Sequence, residues 1–149
     1  MSYSKSVVIG IISIPLVCLF TIVMKILPSD LLYHFQNQAV SDVSTFLINI
    51  SNFILFSQEQ ILAWIIWYVC GVITGLTARG VLKGILSAFS IPIIWSVLYW
   101  ALFIFLSIEV SVNTWGIINE LYYLTDVMIK FGMISAIGGA LGGAATRQR

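Results

Sequence analysis

Gly71-Val72-Ile73-Thr74-Gly75-Leu76-Thr77-Ala78-Arg79 runs straight into the basic turn Gly80-Val81-Leu82-Lys83. The stretch closes one apolar run, carries two of the chain's seven cations and opens the next apolar run. Its glycine–glycine–arginine spacing returns near the end of the chain as Gly139, Gly143 and Arg147. It reads as the cytoplasmic joint between two related halves, residues 1–80 and 81–149, of a single membrane domain.

Composition decides the class. Of the 149 residues 60% are hydrophobic and only 9% charged, and the mean hydropathy is +1.04. Soluble domains are about one quarter charged, so a water-soluble fold of this chain would lack the residues to cover its surface. A net charge of +1, with no basic stripe, excludes a nucleic-acid footprint.

Apolar runs of about 20 residues cross a bilayer core. The sequence predicts four such spans, at about 6–27, 61–79, 84–107 and 125–145. The first is too long for a signal-peptide core, and no small-x-small cleavage pattern follows it near Pro28. Pro15 and Pro92 fall inside the first and third spans, where neighbours in a membrane can re-satisfy the freed carbonyls. Lys5, Arg79, Lys83, Arg147 and Arg149 all fall on one side of this arrangement. The positive-inside rule therefore places both termini in the cytoplasm and the two longer connections outside.

The first outer connection is too long for a plain turn. Over 29–57 its apolar residues, from Leu31 through Phe46 to Ile54, recur at three- and four-residue steps, with polar residues between them. That predicts an amphipathic helix on the outer interface or against a partner. The second outer connection, 108–124, carries Trp115, Tyr122 and Tyr123. With Trp64, Trp67 and Tyr68 these predict an outer aromatic belt.

The two halves correspond in order. Lys5 followed by Ser13-Ile14-Pro15 is echoed by Lys83 followed by Ser90-Ile91-Pro92, and the glycine–arginine series of the second span returns in the fourth. The pattern points to a duplicated hairpin, with both copies in the same orientation.

Candidate functional residues follow from placement. Gly71 and Gly75, and Gly139 and Gly143, each lie on one helix face and allow close backbone approach. They suit helix packing, a dimer seam or the wall of a path, and Thr74, Thr77 and Ser135 are the polar residues beside them. Gly132, Ala136, Ala140 and Ala144 make a second small-residue stripe. Arg79, Lys83 and Arg147 are candidate topology anchors or lipid-phosphate contacts. Lys25 and Lys130 sit within the outer ends of the first and fourth spans, where cations are disfavoured. Asp126 shares a helix face with Lys130, so Lys25, Asp126 and Lys130 form a candidate outer vestibule or partner contact.

Catalytic constellations are missing from the sequence. The single histidine, His34, lies in the outer connection, and Cys18 and Cys70 lie inside apolar runs, so no metal, haem or other cofactor is expected. There is no nucleophile elbow and no phosphate-cradling loop. Asn49-Ile50-Ser51 matches a glycosylation sequon on the outer side. Four spans around a larger outer loop superficially resemble the tetraspanin layout, but the cysteine signature of that loop is absent, so nothing is carried over. The sequence thus suggests a non-catalytic accessory subunit of a larger cell-membrane complex, with other membrane subunits and lipids as partners. The alternative is a small transporter or channel, acting as a homo-oligomer, with its path along the glycine faces of the second and fourth spans.

Overall fold

The computed structural model describes residues 3–24, 50–51, 54–55, 61–106 and 114–146. These are helical apart from short turns, and they form α1 (Tyr3–Val23), α2 (Ile61–Ala78), α3 (Val81–Leu106) and α4 (Thr114–Ala145). Each contains a segment long and apolar enough to cross a membrane, which makes the chain a multi-pass membrane protein by length and composition.

The turn after α2 is set by two residues. Arg79 takes a left-handed conformation with φ 54°, which ends the helix. The Gly84 amide then donates to the Gly80 carbonyl at 2.8 Å, closing the first turn of α3. For that reason α3 begins at Val81 rather than at the predicted Gly84, and Lys83 is helical. A two-residue connection leaves α2 and α3 as an antiparallel hairpin.

A larger departure concerns α4. It starts at Thr114, so much of the predicted outer loop over 108–124 is helix. Ile118, Leu121, Leu124 and Val127 recur at three-residue steps with no proline to stop them, and Leu124 and Val127 are buried. At 1.5 Å per residue α4 is about 48 Å long, against about 30 Å of bilayer core. Its first turns therefore project beyond the apolar slab.

α2 and α3 occupy the middle of the bundle, with α1 packed across them on one flank and α4 on the other. α2 and α4 run in the same direction, since Gly71 meets Ser135 and Gly75 meets Gly139. α1 and α3 run the opposite way.

The exterior is unlike that of a soluble bundle. Leu16, Phe20, Ile61, Leu82, Val97 and Ile137 point outward, with Ile61 77% and Leu82 70% exposed. Inside, Ser6, Ser13, Thr74, Ser87, Ser96 and Ser135 and the glycines stand beside an apolar core that includes Ile14, Ile66 and Ile91. Water would penalise that much contiguous apolar surface, whereas lipid solvates it. Small inward residues let the backbones approach, and van der Waals contact between them holds the helices together.

At the end of the bundle away from Arg79 the interior is aromatic. Phe131 of α4 stacks on Trp67 at 5.7 Å between ring centroids and meets Trp64 edge-on at 5.2 Å. Trp67 is fully buried, and its indole nitrogen donates to the Ile54 carbonyl at 2.9 Å. Trp67 is thus core rather than a member of the predicted belt, because the fourth-span aromatic faces it across the bundle. Ile50, Ile54 and Leu55 join the same core. The rest of the predicted amphipathic segment over 29–57 lies outside the described residues, as do Lys25, His34, Asn49 and Arg147.

Candidate functional site

The most closely built region is the glycine seam shared by α2, α3 and α4. A methyl group on Gly71 would overlap the Ser135 carbonyl oxygen. On Gly75 it would overlap the Gly139 carbonyl and come within 2.8 Å of the Gly143 amide nitrogen. Gly139 in turn faces the Gly84 carbonyl, and a methyl there would lie 2.6 Å from the Ala88 Cβ. Gly143 sits against the turn, where a methyl would lie 2.5 Å from the Gly80 carbonyl oxygen.

Beside this line, Gly138 and Gly142 rest against the carbonyls of Tyr68 and Val72. Three backbones therefore converge around Gly75, Gly84 and Gly139. Gly84 was not singled out by sequence reasoning. With Ala88 it makes a small-x-x-x-small pair in the first turns of α3, and that was the available signal.

The polar residues beside the seam are mostly satisfied within their own helices. The Thr74 hydroxyl donates to the Cys70 carbonyl at 2.7 Å and that of Thr77 to the Thr74 carbonyl at 2.8 Å. On α1, Ser13 and Thr21 donate to Gly10 and Cys18, each at 2.7 Å. Such back-bonding removes the cost of burying a hydroxyl in an apolar medium. Among the described residues the hydroxyls of Ser6, Ser87, Ser96 and Ser135 and the indole nitrogens of Trp95 and Trp100 are buried without a protein hydrogen-bond partner.

No protein-family model, no curated protein and no solved structure matches this chain. Function must therefore be argued from its own residues.

Cys18 and Cys70 are free thiols in one buried cluster with Ile14, Trp67 and Ile91. No group of three or more His, Cys, Asp or Glu residues suited to a metal occurs among the described residues. Between α1 and α2 lies a groove of about 610 Å³, walled by Ile12, Leu16 and Phe20 on one side and Ile65, Val69 and Ile73 on the other. Its apolar walls suit an acyl chain rather than a polar substrate.

The remaining charges are at the surface. Arg79 and Lys83 are exposed near the α2–α3 turn, where snorkelling cations reach lipid phosphate. Lys130 donates to Asp126 Oδ2 at 2.6 Å, and both side chains are nearly half exposed. Both residues fall within the candidate span Leu121–Ala145. Fifteen positions separate Lys130 from Ala145, about 22 Å along the helix, so a bilayer core of about 30 Å that takes up this span would hold the lysine at lipid depth. An ion pair there is costly to leave facing hydrocarbon.

Proposed function

We propose that this chain is a non-catalytic accessory subunit of a larger membrane assembly, acting through its lipid-depth helix faces rather than through an internal site. In this reading it is a multi-pass protein of the cell membrane, with both termini in the cytoplasm and two hairpins derived from a duplication. The predicted outer helix over 29–57, apart from Ile50, Ile54 and Leu55, which join this chain's own core, supplies part of the partner contact. Arg79, Lys83 and Arg147 anchor the inner face to lipid phosphates.

The observation that carries the reading is the seam. The glycine faces of α2 and α4 are filled by this chain's own backbone, at Gly71 against Ser135 and at Gly75 against Gly139. What the bundle offers to other molecules is therefore its exterior, and that exterior includes an ion pair at span depth. Mild-detergent extraction from the native membrane with a C-terminal tag tests this, with subunits read by native gel and mass spectrometry. A stoichiometric set of unrelated membrane proteins is the expected result. Recovery of this chain alone, single or self-associated, would overturn it.

A second reading is a small oligomeric transporter with its path along the same glycine faces. Ser135 favours it, a fully buried hydroxyl without a protein partner beside Gly71, as a polar path would require. The touching backbones of α2 and α4 would have to part for such a path to open. Solute flux in liposomes that hold the purified chain decides between the two.

A further inference from the structure

The face of α4 opposite the glycine seam carries an order of its own. Tyr122, Asp126, Ile129, Met133, Ala136 and Ala140 recur at alternating four- and three-residue steps, with Tyr122, Ile129 and Met133 exposed and the other three partly exposed. Tyr122 is 81% exposed, and Ile129 and Met133 slightly more than half. Ala144 continues the stripe at its far end. The period is that of a helix-pairing seam, with bulky residues in the middle and small ones at the end towards Ala145. Asp126 stands near the Tyr122 end of this stripe, and its partner Lys130, one turn on, is exposed beside it.

From this we infer that the outer face of α4 docks a second copy of this chain, related by a two-fold axis along the membrane normal. Such an axis brings like residues together at like depth. Asp126 and Lys130 are one helical turn apart, about 6 Å in depth. The lysine stem that reaches its own Asp126 can therefore reach Asp126 of the second copy in the same manner.

A carboxylate accepts hydrogen bonds at both oxygens, and Lys130 uses Oδ2. Two copies then form a neutral ring of two acids and two lysines at the seam. The patch is its own complement. An unrelated helix would need an acid and a base at matching depth, and an acyl chain supplies neither. Ala140 and Ala144 let the two backbones approach at the opposite end, while the charges fix the register, as a polar position does in a coiled coil.

This inference does not rest on the accessory-subunit reading. Unrelated subunits can bind elsewhere on the bundle, and self-association can occur without them. Its test uses the full chain in native membranes with two different tags. Met133→Cys is treated with a short bis-maleimide, and Val97→Cys on the exposed face of α3 serves as the control.

A covalent dimer at Met133→Cys, and little at Val97→Cys, is expected. In the Met133→Cys background, Asp126→Lys alone or Lys130→Asp alone should lower the yield about tenfold, because like charges then face each other. Co-expression of the two charge variants should restore it as the mixed pair. Equal cross-linking at the two cysteines, capture of an unrelated protein at Met133→Cys, or no recovery in the mixed pair would each overturn the inference.

Discussion

Gly71 on α2 lies so close to the carbonyl of Ser135 on α4 that no methyl group fits between the two helices. The same holds one turn along, at Gly75 and Gly139. The contact ties α4 to α2 and α3, with α1 packed on the other flank of that pair. It also separates two kinds of surface: an interior closed by backbone and an exterior left to lipid or protein.

Alanine at the seam should therefore be costly. Gly71→Ala, Gly75→Ala and Gly139→Ala each push a methyl into backbone that cannot rotate away, and should destabilise by about 1–3 kcal/mol or more. Gly132→Ala meets instead the ring edge of Phe89, 2.8 Å away, and a side chain can yield. Its cost should stay below about 1 kcal/mol. Thermal unfolding in detergent checks the order, and equal losses at all four positions would contradict it.

Trp67 joins α2 to the connection before it through its hydrogen bond to Ile54. Trp67→Phe keeps most of the ring but strands a buried carbonyl, and should cost about 1–3 kcal/mol. Trp67→Ala should cost about 3–5 kcal/mol, because it also opens a cavity beside Phe131. A belt tryptophan facing lipid would lose far less in either substitution, so denaturation of the two variants distinguishes the environments.

Arg79 holds a left-handed conformation that a Cβ disfavours by about 1–2 kcal/mol. Arg79→Gly should therefore stabilise the purified protein by about 1 kcal/mol, with Lys83 left as the cation at the turn. A lower unfolding temperature for this variant would mean that the guanidinium does more for the fold than the strain takes away.

Thr74 is fully buried, yet its hydroxyl is satisfied by Cys70 of its own helix. Thr74→Val keeps the shape and removes donor and bond together, so stability should change by less than about 1 kcal/mol. The hydroxyl also faces Gly10 of α1, and a large loss of stability would show that this contact needs the oxygen. Loss of a measurable solute flux, with the fold intact, would favour the transporter reading.

Much of this architecture is legible in the sequence because a membrane imposes a coarse rule. Runs of about 20 apolar residues must be spans, and the run ending at Gly80 marks a hairpin. Span ends are less legible. The first turns of α4, from Thr114, look polar and aromatic and read as loop, because the short recurrence from Ile118 to Val127 gains weight only once the bundle shows Leu124 and Val127 facing a core.

Trp67 was hidden for a related reason. A tryptophan near a span end usually marks the interface, and only the placement of Phe131 on another helix turns it inward. Gly84 and Ala88 were overlooked because their small-residue pair matters only once the backbones of α2 and α4 are known to meet there. The Asp126–Lys130 pair follows from four-residue spacing alone. That the pair sits on the exterior, opposite the seam, requires the whole bundle.

The measurement closest to the central claim is photo-crosslinking in the native membrane from three outward-facing positions, Leu16 on α1, Val97 on α3 and Ile137 on α4. Each is at least half exposed in the single chain. An accessory subunit should give protein adducts from at least one of these faces, with an unrelated membrane protein among them in a reproducible ratio. Lipid-sized adducts alone at all three positions, in the same membranes, would mean that these faces meet only the bilayer and would contradict the account.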